Sequence, residues 1–146
     1  MIPRHSFLRL MSAALVFTSF HMAWGHGEDK PGPHGGFIRM PGAFHTEVVP
    51  QSARKIKIHL LDMSWKNPTV KDSEVVVTHQ AAKKVTKALC TAQADHFVCE
   101  FARGVDLRKN GELIVTARRE GQQGNAASYA LPLSWPESAK GHDRHH

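Results

Sequence analysis

Residues 55–62 read KIKIHLLD. Ile56, Ile58 and Leu60 fall on one side of a period-two repeat, and Lys55, Lys57 and His59 fall on the other. That alternation is the mark of a strand with one face on a core and one toward water. Strands of the same kind follow on either side. Residues 37–40 and 44–49 flank a Pro-Gly turn at Pro41 and Gly42, and residues 74–79 carry the β-branched run Val75, Val76, Val77. Residues 84–91 and 96–102 read as a hairpin, and residues 112–118 and 126–133 complete the set. Turn signals stand at Asn67-Pro68 and Lys109-Asn110-Gly111. About seven to eight short strands without an amphipathic helix predict an all-β fold, an antiparallel immunoglobulin-like β-sandwich. Its expected core holds Phe44, Ile56, Ile58, Leu60, Val75, Val77, Phe97, Phe101, Leu113, Val115 and Leu131.

The chain has 146 residues, 41% of them hydrophobic and 22% charged, which excludes disorder throughout and a multi-pass membrane protein. Residues 1–25 predict a signal peptide: Arg4 and Arg9 precede a short apolar run, and Ala23-Trp24-Gly25 offers small residues at a cleavage site. The apolar run is shorter than the roughly 20 residues of a membrane span, so none is expected after cleavage. Residues 26–36 form a Gly/Pro/His-rich lead-in, residues 37–133 the sandwich, and residues 134–146 a disordered His-rich tail. The expected location is periplasmic or secreted. Net charge is +6 over the whole chain. It is spread without a dense basic block carrying aromatics, so no nucleic-acid partner is expected.

Cys90 and Cys99 suit a disulfide across the hairpin, with Ala94-Asp95 at its turn, in a compartment where such bonds persist. Eleven histidines are present. His59, His79 and His96 read as isolated surface residues. His34 sits in Pro-His-Gly-Gly, and His45 and Glu47 leave one face of a strand two residues apart. With His34 they make a nitrogen and oxygen donor set that suits Cu or Zn ions. The same alternation also describes an ordinary solvent-facing strand. Cleavage after Gly25 would expose His26 as a terminal chelate. His142, His145 and His146 form a short tract of the kind that captures metal loosely. Met40 and Met63 lie nearby in sequence.

The run HGEDKPGPHGGFIRMPGAFHTEVV followed by IKIHLLD resembles small exported bacterial proteins. It also resembles the periplasmic metal-binding N-terminal domain of heavy-metal efflux adaptor (membrane-fusion) proteins. The matching positions are His34, Gly35, Gly36, His45, Glu47 and Asp62. The resemblance implies a periplasmic β-sandwich associated with copper, zinc or related cations. It covers about a third of the mature chain, and the coiled-coil hairpin, lipoyl and barrel parts of an adaptor are absent from the sequence. The expected function is metal handling or resistance, with a metal ion and a periplasmic efflux component or other envelope protein as partners. The alternative is a metal-independent protein–protein interaction module. No Gly-x-Ser-x-Gly or His-Glu-x-x-His motif is present, and the chain is not expected to be an enzyme.

Overall fold

The computed structural model describes residues 30–134. The signal segment 1–25, His26 and the tail histidines His142, His145 and His146 lie outside the described residues. Ten strands appear among them: β1 (Phe37–Arg39), β2 (His45–Ser52), β3 (Lys55–Leu61), β4 (Glu74–Ala81), β5 (Lys84–Lys87), β6 (Leu89–Ala92), β7 (Phe97–Glu100), β8 (Gly111–Arg119), β9 (Gln122–Gln123) and β10 (Ala127–Leu131). One antiparallel sheet runs β1-β2-β3-β7-β6, and the other runs β10-β8-β4-β5 with β9 pairing β8. The described residues contain no helix, and none long and apolar enough to cross a membrane.

Alternation decides which side chains meet between the sheets. Val48, Ile58 and Phe97 stand opposite one another across β2, β3 and β7. They pack into one cluster with Val75, Val77, Leu113 and Val115 of the facing sheet. All eleven core residues expected from the sequence are buried. Tyr129 joins the two sheets: its hydroxyl donates to the Thr46 carbonyl at 3.1 Å and accepts from Thr46 Oγ1 at 2.7 Å. Enclosure in the core raises its phenol far above the ordinary range.

One strand expected from the sequence is two. Residues 84–91 divide at Ala88, whose N–H still donates to Val77 of β4 at 2.9 Å. Leu89 then pairs with Glu100 in the other sheet. The chain changes sheets there, which a continuous β pattern does not reveal. The preceding hairpin turns at Ala82 and Lys83, with φ 46° and 68°, the paired left-handed geometry that matches strand twist.

The disulfide joins Cys90 and Cys99, which stand directly opposite in β6 and β7 with Cα atoms 4.0 Å apart. Gln93 N–H to His96 C=O at 2.8 Å closes the turn over Ala94 and Asp95. Closing so short a loop stabilises the fold by about 3 kcal/mol on the chain-entropy account.

Candidate metal centre

Residues 30–36 cover the outer face of the first sheet. Pro33 supplies a fixed φ within a tight turn, and Gly35 N–H closes that turn on the Gly32 carbonyl at 2.9 Å. Gly35 itself adopts φ 75°, where side chains other than glycine are strained. Gly32 N–H then bonds the Gly36 carbonyl at 2.9 Å. The turn folds back over β2 and places His34 above the sheet.

Beneath it lies Glu47, fully buried. Its Oε1 accepts the backbone N–H of His34 at 2.8 Å and of Gly36 at 3.0 Å. Its Oε2 lies 2.7 Å from His34 Nδ1. The carboxylate accepts two N–H groups already and accepts from Nδ1 as the third, so in the neutral ring the lone pair falls on Nε2. The carboxylate therefore fixes the tautomer and orientation of His34.

Register brings in a third residue. His59 of β3 stands opposite Glu47 of β2. Its ring stacks on that of His34, with centroids 3.7 Å apart and planes within 4°. His59 is only 5% exposed, and its Nδ1 has no hydrogen-bond partner. This corrects the expectation of a solvated residue on a lysine face. Lys55 and Lys57 share that face and stay half-buried, whereas the His34 ring covers His59. Burial first, and His34 second, bring the His59 pKa from 6.5 down to about 4. The ring is therefore neutral near pH 7, the form that binds metals.

Among the described residues, one ligating atom from each of His34, Glu47 and His59 lies within 4.8 Å of the others. A second set, His59, Asp95 and His96, meets the same measure. His96 lies at the turn of the β6–β7 hairpin, its Nδ1 2.8 Å from Asp95 Oδ1. That bond is the main reason the Asp95 carboxyl sits below its ordinary pKa.

His45 belongs to neither set, although the sequence pairs it with Glu47. It is buried at the start of β2, with Nδ1 3.1 Å from the Asp62 carbonyl and its ring edge-on to Trp65. Asp62 is also committed elsewhere. Its carboxylate accepts Ser64 N–H and Lys66 N–H, both at 2.9 Å, and the Asn67 amide at 2.8 Å. The bond from Lys66 leads the causes that lower its pKa. It shapes the loop after β3. His79 is buried in the other sheet with an unpartnered Nε2, against the expectation of a surface residue, and joins neither set. Met40 and Met63 are exposed.

The buried neutral His59 sets a pH dependence for the metal-free protein. The unfolded chain takes up a proton near pH 6.5, the folded chain only near pH 4. Between those values the unfolded state binds more protons, so stability falls as the pH falls. The slope from this residue is at most about 1.4 kcal/mol per pH unit. Glu47, His34, Asp95 and His96 face the ring and set its final size. Urea unfolding at pH 7.5, 6.0 and 5.0 checks it: His59→Gln is expected to flatten the loss, and an unchanged profile contradicts it.

A scan against protein-family models, a search of curated proteins and a search of solved structures each returned no match.

Proposed function

We propose that this chain is an exported, periplasmic metal-binding protein that handles copper, zinc or a related cation through the cluster at His34, Glu47 and His59. One observation carries the proposal. A buried imidazole with an unpartnered nitrogen is stacked on a second imidazole that is hydrogen-bonded to a buried carboxylate. An unsatisfied buried nitrogen carries a desolvation cost, and a bound cation would offset it. The resemblance to efflux-adaptor domains supports the same reading, and the disulfide is compatible with an oxidising compartment.

An immunoglobulin-like assignment fits this reading. The order β1-β2-β3-β7-β6 facing β10-β8-β4-β5 would match strands A-B-E-D against G-F-C with β2 as A, leaving β1, β5 and β9 as additions. The disulfide differs from that of antibody domains, since it joins neighbouring strands of one sheet.

Calorimetric titration of Zn²⁺ and Cu²⁺ into the full chain tests the proposal. Parallel titrations use a chain lacking residues 137–146 and the double variant His34→Ala, His59→Ala. The expected result is one tight equivalent that survives tail removal and disappears in the double variant. Binding that follows the tail alone overturns it.

A second reading draws on the edge strands. Leu89 of β6 and Val85 of β5 are 78% and 62% exposed, where the outer strands of both sheets end. Such an edge suits pairing with a strand of an envelope protein. Metal-independent cross-linking that is lost in Leu89→Lys would favour it.

A further inference from the structure

We infer that the cation is held by three imidazoles, His34, His59 and His96, and that Glu47 and Asp95 orient two of them without ligating. This rests on the metal-binding reading above and adds the donor set, and through it the class of cation.

The sheet sets up the row. Glu47 and His59 are opposed in the β2–β3 register. Phe97 of β7 is opposed to Ile58 of β3, so His96, one residue earlier, falls beside His59. The ring centroids of His59 and His96 are 5.1 Å apart, and those of His59 and His34 are 3.7 Å apart. His59 is thus common to both ring contacts, and the ligating atoms of His34 and His96 fall in two sets that share it. The hairpin bearing His96 is closed at its turn and bridged by Cys90–Cys99, which limits how far that ring can stray.

The two outer rings are prepared in the same way. His34 Nδ1 is 2.7 Å from a Glu47 oxygen, and His96 Nδ1 is 2.8 Å from an Asp95 oxygen. A carboxylate accepts, so each Nδ1 donates, and in the neutral ring that directs the lone pair to Nε2. Carboxylate partners of this kind raise the basicity of a ligating histidine and fix its tautomer. The central ring contributes a buried nitrogen without a partner.

Both carboxylates have other work. Glu47 spends its two oxygens on three N–H groups, and ligation would withdraw at least one of those bonds. The lone pairs of stacked imidazoles lie in parallel planes, whereas one ion must sit about 2.0–2.1 Å from each nitrogen in its ring plane. Binding therefore turns a ring out of the stack. His34, on a loop and with a side chain 35% exposed, is freer to turn than His59 inside β3, and a pivot about its Nδ1–Glu47 bond keeps that partner. Three neutral nitrogens with an open fourth position suit Cu²⁺ and Zn²⁺, and they disfavour oxygen-seeking Mg²⁺ and Ca²⁺.

Pulsed EPR with Cu²⁺ as the probe tests this, in a full-length background where His26, His142, His145 and His146 are alanine. The expected spectrum at one equivalent shows three strongly coupled imidazoles. His96→Ala is expected to reduce them to two and weaken copper at least tenfold. His96→Gln, which retains a polar side chain at the turn, is expected to do the same while circular dichroism confirms folding. Glu47→Gln is expected to keep three imidazoles and weaken copper by about 10–100-fold, the range for loss of an orienting partner. Unchanged coupling and affinity in both His96 variants overturn the three-imidazole set and leave the metal-binding reading standing. Absence of copper binding in the background overturns both.

Discussion

Glu47→Ala is expected to destabilise the domain by about 3 kcal/mol. The substitution removes the acceptor of two buried backbone N–H groups and of the His34 ring. Donors left without a partner cost about 1–3 kcal/mol each when they stay buried, and partial rehydration of the loop limits the total. Glu47→Gln keeps an oxygen that can accept from both backbone groups, and is expected to cost about 1 kcal/mol. Urea unfolding of the three proteins checks the order. Equal stability of Glu47→Ala and the parent would show that the lead-in does not depend on this carboxylate.

The second large effect is expected at Gly36. A Cβ there would lie 2.6 Å from the Val48 carbonyl oxygen and 2.7 Å from Val49 Cγ2. The first of these is backbone of the central part of β2 and cannot move without disturbing two strand pairings. Gly36→Ala is therefore expected to cost about 2–3 kcal/mol, the scale of overpacking, and to displace Glu47, whose Cγ would be 2.9 Å away. Gly35→Ala is the informative comparison. A Cβ at Gly35 meets nothing within 4 Å, and only the left-handed φ of 75° opposes it. Its expected cost is about 1 kcal/mol. Denaturant midpoints of the two variants separate these causes, and a larger loss at Gly35 would contradict the packing account.

The strand alternation of residues 55–62 was enough to orient β3, because burial on one face is a local property of the pattern. Cys90 and Cys99 could be paired for a similar reason: a short hairpin leaves few other registers. The meaning of His59 was not local. Its neighbours Lys55 and Lys57 point the same way, and a residue on their face reads as solvated. What covers it comes from a turn near residue 34, more than twenty residues away in sequence. A signal was nevertheless present: with residues 44–49 and 55–61 paired as neighbouring antiparallel strands, Glu47 falls opposite His59.

His45 shows the converse. Its spacing from Glu47 puts the two side chains on one face of one strand. The Asp62 carbonyl takes its Nδ1, and strand spacing carries no information about that bond. The division of residues 84–91 between two sheets was equally hidden, since both halves keep β character and only the tertiary partners of Ala88 and Leu89 differ.

On the proposed function, a cation binds at the histidines on the outer face of the first sheet. Side-chain ¹⁵N NMR of the full-length chain during a Zn²⁺ titration tests it most directly, because it reports each histidine nitrogen separately. The account predicts that the first equivalent shifts the resonances of His34 and His59 while those of His142, His145 and His146 stay in place. Shifts that begin in the tail and leave His34 and His59 unmoved would contradict it.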